Sequence, residues 1–427
     1  MNKLLRILSM GAGSTLGVSA IAIIIQMSVV SYFSRAAPEY IAFIAIFELF
    51  TAWVIALCFF GGEQHFVNVF NRSKSGTHVL SIYLITYFLL LLPFSFAFFT
   101  LYRLDYISTG GFNVVGLYLT CVTIGASVII SAYLRSQLKI LLASSLEKLT
   151  VCSVYIILLV FFLCEGDNLD GYLIVFSVFF LCLLLYFFRN NLSISKDDLY
   201  ICKDIFSTGG AYFFVTLLVI LMYERIDQMV ILDGFELTDL AGYFACFKLA
   251  FLIRFISKSV NSAMYPYLSK LSSNDDVKAL ELFKDIKLVN FSIALILSFP
   301  LIFLSEEIIR FIYGDQFVEY SNVLQIMAIT LIVSVSNQSD FNLMNSRGYS
   351  SYFLINSVLT VIVQCAVIMS LINSIGILSL VLAKYFAVIF GFIFSTLLLV
   401  RNNVAINKLV LTFVSITPFF VYFLIWY

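Results

Sequence analysis

Five ionisable residues lie within long apolar stretches of the sequence. They are Glu48, Lys248, Arg254, Asp340 and Lys384. A charge at the centre of a lipid bilayer costs about 2.5–3.5 kcal/mol on insertion scales, so it normally faces a partner or a water-filled cavity. Each residue alone could form a structural pair, such as Glu48 with Lys248. Because they are spread over four stretches, together they indicate a polar central cavity.

The sign of the deep charges favours an anionic ligand. Lys248, Arg254 and Lys384 are cationic, and Arg35 lies near the outer end of the first apolar stretch. Ammonium and guanidinium groups bind phosphate or pyrophosphate through charge-assisted hydrogen bonds. These four residues are therefore the predicted substrate-binding residues.

Carboxylates in the same regions are candidates for coupling transport to an ion. A proton- or sodium-coupled exporter of cations would display unpaired carboxylates in its membrane helices. Glu48 and Asp340 lie within apolar stretches, whereas Glu224 and Asp227 lie near an outer edge. All four are predicted as ion-coupling candidates.

The composition requires that membrane-spanning elements carry these residues. Of the 427 residues, 62% are hydrophobic and only 12% are charged, against roughly a quarter charged in soluble domains. So much apolar surface excludes a soluble enzyme, a secreted disulfide scaffold and a disordered tail. Basic and acidic residues number 25 each, so the net charge does not indicate a nucleic-acid partner.

The chain contains thirteen apolar stretches that are long enough to be membrane helices. A spanning helix needs about 20 residues, and continuous runs of that length do not fit barrel strands. Since lipid leaves no partner for open backbone groups, the fold must be all-α and polytopic. The predicted spans are 11–33, 38–60, 78–101, 113–134, 143–164, 171–188, 205–224, 238–262, 288–309, 320–344, 350–372, 376–400 and 405–427.

The distribution of Lys and Arg predicts a cytoplasmic N-terminus. If each stretch crosses once, most basic residues, including Lys287, fall on one side of the membrane, and excess positive charge marks the cytoplasmic side. The other side holds Arg35, Arg103, Arg225 and Arg310.

One cytoplasmic segment, 263–287, is predicted to hold a helix that lies flat on the inner surface. Ser273 can cap this helix, and apolar residues follow at helical spacing. They are Val277, Leu280, Phe283 and Ile286.

The order of spans predicts two related six-helix bundles. The boundaries are 1–188 for the first bundle, 189–204 for a cytoplasmic connector, 205–401 for the second bundle and 402–427 for an extra membrane helix. Internal repeats of this kind are common in transporters. Spans 4 and 10 both end in an arginine, Arg135 and Arg347, as a 6+6 repeat would produce.

Other motifs do not support enzymatic chemistry. The glycines of residues 11–17 are spaced like a dinucleotide-binding loop, but this segment begins a membrane helix and no strand precedes it. The sequence contains no phosphate-binding P-loop motif. His65 and His78 do not have the spacing of metal ligands, and the eight cysteines are interpreted as small apolar side chains. We therefore expect no catalytic residue, no metal, no cofactor and no enzymatic activity.

Four stretches resemble one family of membrane proteins. They are GGEQHF at 61–66, YERIDQMVILDGFELTDLAGYFACFKL at 223–249, YPYLSKL at 265–271 and FIYGDQFVEYSNVLQIM at 311–327. The pattern is similar to the lipid-linked oligosaccharide flippases of the MOP exporter superfamily, in its polysaccharide biosynthesis branch. These are the O-antigen and capsule repeat-unit translocases of bacteria.

This resemblance implies a fold and a cargo. The fold would be two six-helix bundles in a V-shaped, MATE-like arrangement that opens alternately inward and outward. The cargo would be an undecaprenyl-pyrophosphate oligosaccharide, moved from the cytoplasmic to the outer leaflet of the inner membrane. The cationic lumen of the family would correspond to Lys248, Arg254 and Lys384. The predicted thirteenth span departs from the family's twelve.

A function of this kind also defines the expected partners and energy source. The partners would be the polyprenyl-pyrophosphate-linked glycan, membrane lipids and a glycan polymerase or chain-length regulator, without nucleic acid. Energy would come from the membrane potential or an ion gradient, since the sequence has no nucleotide site.

Two alternatives remain: a multidrug or metabolite antiporter of the same superfamily that couples through Glu48 or Asp340, and a membrane-bound glycan polymerase or ligase. The short outer loops disfavour the enzyme.

Overall fold

The protein is all-α over the residues described by a computed structural model. These are 13–60, 76–103, 114–137, 139–164, 169–189, 225–274, 276–347, 350–401 and 408–426, with isolated residues at 62, 65–66, 69–70, 203, 210 and 213–214. In this part of the chain, nine helical segments are long and apolar enough to cross a membrane. The predicted all-α, multi-pass architecture is therefore confirmed.

Six helices in the first half coincide with predicted spans to within a few residues at each end. They are α1 Gly13–Ala36, α2 Glu39–Cys58, α3 Gly76–Arg103, α4 Val114–Ser136, α5 Ile140–Leu163 and α6 Leu169–Phe188. Most of the next predicted span, 205–224, lies outside the described residues.

The second half begins with a short polar helix and continues with long ones. They are α7 Arg225–Gly234, α8 Leu237–Asn274, α9 Asp276–Phe303, α10 Ser305–Tyr313, α11 Ser321–Ser346, α12 Ser350–Ile375, α13 Leu378–Arg401 and α14 Lys408–Trp426. A 3₁₀ helix, Asp315–Tyr320, joins α10 to α11.

The predicted surface helix within 263–287 is wrong. Residues up to Asn274 complete α8, and α9 begins at Asp276 and continues without interruption to Phe303. No Gly or Pro occurs between Asp276 and Phe299 to end a helix, so the change from polar to apolar sequence is not an element boundary. The amphipathic segment is instead the first part of a membrane helix.

The predicted span 288–309 also ends earlier than expected. Leu304 separates α9 from α10, and α10 ends at Tyr313. The next residue, Gly314, has a φ of 96°, which lies in the region that favours glycine. Residues 305–309 therefore belong to a separate short helix.

The chain divides into two compact units. The first consists of Gly17–Phe33 and Ala37–Leu232, and the second of Met1–Leu16, Ser34–Ala36 and Asp233–Tyr427. The sequence-based boundaries at residues 188 and 205 stay a prediction, because most of the chain between α6 and α7 lies outside the described residues.

Among the described helices of the first unit, α4 occupies the centre. Helix α4 packs against α2, α3, α5 and α6 and is the most buried of the candidate spans. Small and hydroxyl-bearing residues on α4 allow these close contacts. For example, the Thr120 hydroxyl lies 3.0 Å from the Ser177 hydroxyl of α6.

Helix α11 has the same central role in the second unit. It packs against α8, α9, α12, α13 and α14. In the predicted numbering, α4 is span 4 and α11 is span 10, so the central helices of the two units are six spans apart. This correspondence supports the predicted 6+6 repeat.

The final helix, α14, packs onto the second unit. The Phe413 ring contacts Phe291 of α9 edge-on at 5.3 Å between centroids, and the Tyr385 hydroxyl of α13 donates to Thr417 Oγ1 at 2.9 Å. The predicted thirteenth helix therefore exists and covers side chains of α9 and α13. That it crosses the membrane stays a prediction.

Candidate functional site

A buried ion pair lies inside the second unit. Lys287 Nζ of α9 donates to Asp340 Oδ1 of α11 at 2.6 Å, and the two side chains are 4% and 0% exposed. The Ser395 hydroxyl of α13 lies 3.3 Å from Asp340 Oδ2 and 3.0 Å from the Phe392 carbonyl. The pair thus links three helices of one bundle.

Aromatic rings surround the ammonium group of Lys287. Its Nζ lies 5.7 Å from the ring centroid of Phe283 and 5.5 Å from that of Phe392. Both distances fall within the range of cation–π attraction, which strengthens when the cation is desolvated. The two rings and Asp340 together replace water around this charge.

Amide side chains extend the polar core from the ion pair towards α8. Asn290 Nδ2 of α9 lies 3.0 Å from Asn261 Oδ1 of α8 and 3.1 Å from Ser339 Oγ of α11. All three residues are buried. These two hydrogen bonds link α9 to α8 and to α11 in the interior of the bundle.

Sequence reasoning found Asp340 but misplaced Lys287. The sequence assigned Lys287 to the surface segment 263–287, whereas this residue lies within α9 and its side chain is buried in the bundle. The side of the membrane on which it lies stays a prediction. A detectable signal was present: Lys287, Asn290, Ala294 and Ser298 recur every three or four residues and are all buried. Polar and small residues at helical spacing mark a helix face that packs against protein.

Glu48 of α2 forms the polar centre of the first unit. The Tyr155 hydroxyl of α5 donates to Glu48 Oε1 at 2.6 Å. Arg225 Nη2 of α7 lies 3.6 Å from Glu48 Oε2, with side-chain exposures of 14% for Arg225 and 13% for Glu48. Arg225 also donates to Gln228 Oε1 at 2.9 Å. The carboxylate is therefore held by a phenol and a guanidinium group from two other helices.

The remaining acidic candidates differ in their placement. Asp227 is fully buried in α7 beside Gln228, whereas Glu224 lies outside the described residues. The sequence alone placed Arg225 near an outer edge and did not identify it, or Tyr155, as a partner of Glu48. The ion-coupling roles of Glu48, Asp340, Glu224 and Asp227 stay predictions.

Two of the four predicted substrate-binding cations approach the same turn of α8. Lys248 is 7% exposed, and its Nζ lies 5.1 Å from the ring centroid of Phe244. Lys384 Nζ of α13 lies 5.6 Å from the ring centroid of Phe247. The structure thus places two ammonium groups against neighbouring rings within the second unit.

The other two predicted cations lie elsewhere. Arg254 is half-buried, six residues after Lys248 on α8. Arg35, at the end of α1, donates to the Phe311 carbonyl of α10. The role of all four residues in substrate binding stays a prediction.

Comparison with known proteins supports the resemblance detected in the sequence. Residues 112–322 match the family described as polysaccharide biosynthesis protein. The motifs at 223–249 and 265–271 lie within this range, and the motif at 311–327 overlaps its end. A search of curated proteins gives no significant match.

Three solved structures share the fold at low sequence identity. The lipid II flippase MurJ, in an inward closed conformation, is 14% identical with a TM-score of 0.68, covering 96% of this chain and 91% of that one. A multidrug resistance MATE family transporter of the MOP superfamily, in an outward-facing conformation, is 16% identical with a TM-score of 0.63, covering 93% and 96%.

The third structure is a MOP superfamily transporter from Pyrococcus furiosus, described as having a binding pocket of reverse polarity that suggests a different function. It is 13% identical with a TM-score of 0.57, covering 92% of this chain and 95% of that one. Fold and family evidence thus agree: the chain is a multi-pass membrane protein with the fold of MOP superfamily transporters, and its residues 112–322 match the polysaccharide biosynthesis protein family.

Proposed function

We propose that the protein is a flippase that moves oligosaccharide repeat units linked to undecaprenyl pyrophosphate from the cytoplasmic to the outer leaflet by alternating access. The observation that carries this proposal is the family match over residues 112–322. The fold alone would not suffice, because drug transporters share it. The product would serve O-antigen, capsule or exopolysaccharide synthesis.

The cationic side chains of the second unit support an anionic cargo. Ammonium and guanidinium groups bind phosphate oxygens through charge-assisted hydrogen bonds, and pyrophosphate offers several acceptor oxygens. Lys248 and Lys384, beside Phe244 and Phe247, would bind the pyrophosphate. In this proposal Arg254 and Arg35 bind further phosphate or sugar oxygens.

The proposed cellular setting follows from this cargo. The protein would reside in the inner membrane with its N-terminus in the cytoplasm, and the lipid tail of the cargo would stay in the bilayer. A glycan polymerase or chain-length regulator would receive the translocated unit. The neighbours in fold are transporters rather than enzymes, and no chemical step is needed for this function.

An ion-coupled multidrug or metabolite antiporter is the second candidate. The similarity to MATE transporters favours it, as does the carboxylate of Glu48, which lies in the interior of the first unit. The two candidates differ in cargo charge, because an antiporter of cationic drugs would use its carboxylates for binding.

A leaflet-resolved assay separates the two candidates. In a strain lacking the gene, lipid-linked repeat units should accumulate on the inner leaflet, and the wild-type gene should restore them to the outer leaflet. Dye efflux serves as the parallel measurement. Unchanged surface glycan together with reduced dye efflux would replace the flippase proposal with the antiporter.

A further inference from the structure

The surroundings of Asp340 contain a cation supplied by the chain itself. Lys287 Nζ lies 2.6 Å from Oδ1, the distance of a strong charge-assisted hydrogen bond. The side chains of both residues are almost completely buried. A carboxylate that couples transport to an ion must bind and release that ion, and here a tethered ammonium group takes the place of such an ion.

The other groups around the pair are neutral. Helix α13 contributes Ser395 and Phe392, and α9 contributes the ring of Phe283. The neighbouring network towards α8 consists of Asn290, Asn261 and Ser339. Within these described contacts, the charge of Asp340 is balanced one to one by Lys287, so binding of a further cation would leave an uncompensated positive charge.

We infer that Lys287 permanently neutralises Asp340, so that the second unit takes part in transport without exchanging a proton or a metal cation at this carboxylate. The pair is a positioning element that holds α9, α11 and α13 together. This inference rests on the proposed transport function and removes Asp340 from the ion-coupling candidates.

The energetics of buried pairs provide a test. Removing one partner leaves an uncompensated buried charge and is strongly destabilising, whereas replacing both partners by neutral residues of similar size is often tolerated. A coupling carboxylate would behave in the opposite way, since its loss abolishes the ion response whether or not its neighbour is also changed.

The first experiment compares Lys287→Gln, Asp340→Asn and the double variant. Each single substitution should lower the yield of folded, monodisperse protein about tenfold, and the double variant should recover to within about threefold of wild type. Transport by the double variant should keep the wild-type dependence on proton and sodium gradients. A folded double variant that loses this gradient dependence would overturn the inference.

The second experiment uses the wild-type protein and does not depend on transport. A hydrophobic carbodiimide modifies protonated carboxyl groups in membranes, and mass spectrometry locates the adduct. Asp340 should stay unmodified between about pH 6 and pH 8, with or without sodium, because its carboxylate is hydrogen-bonded to the Lys287 ammonium group at 2.6 Å. In Lys287→Gln, Asp340 should become modified.

Modification of Asp340 in the wild type, suppressed by sodium, would contradict the inference even if the double variant failed to fold. Failure of the proposed function is a separate outcome. It would appear as wild-type protein that does not move lipid-linked glycan, with the labelling result unaffected.

Discussion

Three lysines of the second unit differ in the side chains that surround them. Lys287 forms a buried ion pair with Asp340. Lys248 and Lys384 lie near aromatic rings and are the proposed ligands of an anion. The sequence identified Lys248 and Lys384 because they interrupt apolar runs. It could not identify the Lys287–Asp340 pair, because residues 53 positions apart in the chain meet only through the packing of α9 on α11.

Replacement of the buried lysine of α8, Lys248, should strongly reduce the proposed glycan export. Lys248→Ala should reduce translocation of the lipid-linked glycan by about tenfold or more, because a charge-assisted hydrogen bond to the pyrophosphate contributes about 1.5–3 kcal/mol. Lys248→Arg should retain part of the activity. The assay is export in a deletion strain, normalised to protein in the membrane.

The matched control is Lys284→Ala, which removes an exposed lysine from α9 and should leave export unchanged. Normal export by Lys248→Ala would show that this residue does not bind the cargo.

The phenol that holds Glu48 should contribute measurably to the stability of the first unit. Tyr155→Phe removes the 2.6 Å hydrogen bond to Glu48, and the loss of a bond to a charged group costs about 1.5–3 kcal/mol. The expected result is a lower melting temperature in detergent. Tyr172→Phe, at an exposed position of α6, is the control, and equal melting temperatures for the two variants would disprove this role.

At the scale of elements, the apolar runs predicted most helices well, because the length of a membrane helix is set by the bilayer. The start of α9 at Asp276 was not predicted from hydropathy, because hydropathy shows where an apolar stretch begins. Helix ends are instead set by capping residues and by residues such as Gly and Pro that interrupt a helix. Contacts between elements, such as that of Tyr155 of α5 with Glu48 of α2, could not be predicted from the sequence. The periodicity of a sequence indicates which face of a helix is buried, but not which helix packs against that face.

Helix α8 and the 3₁₀ helix lie so close together at Gly242 that a methyl group should not fit there. A Cβ at Gly242 of α8 would overlap the ring of Tyr320, and that ring is anchored by a hydrogen bond of 2.8 Å from its hydroxyl to Asp239 Oδ1. Gly242→Ala should therefore destabilise the protein by about 1–3 kcal/mol through overpacking. Thermal unfolding in detergent measures the effect.

Gly17→Ala in α1 is the matched control, because nothing lies within 4 Å of a Cβ there. It should be neutral or slightly stabilising, since Ala favours the helix. If both glycine variants melted at the same temperature, the tight contact at Gly242 would not contribute.

At the scale of the whole molecule, the all-α, multi-pass fold could be predicted from the sequence, because composition and the number of apolar stretches are properties of the whole chain. The role of the deep charges in transport stays a prediction. The side chains that contact each buried charge depend on how the helices of a unit pack against one another. In the first unit these helices are α2, α5 and α7, and in the second unit they are α9, α11 and α13.

Removal of the last helix should weaken the second unit as a whole. A chain that ends at Arg401 would uncover Phe291 and Tyr385, which α14 contacts. We expect a lower yield of monodisperse protein and a lower melting temperature. The control is Phe419→Leu with Tyr422→Leu, since both positions on α14 are exposed. Unchanged stability of the truncated chain would show that α14 is accessory.

The buried pair of Lys287 and Asp340 also constrains how the sequence can evolve. If either residue alone is lost, the other is stranded as a charge in an apolar bundle, so a lineage cannot readily change one position and wait for the second. Positions 287 and 340 should therefore vary together among descendants of a common ancestor, as a charged pair or as two neutral residues. Mixed states should be rare, and this joint inheritance would be visible in any sufficiently deep set of related sequences.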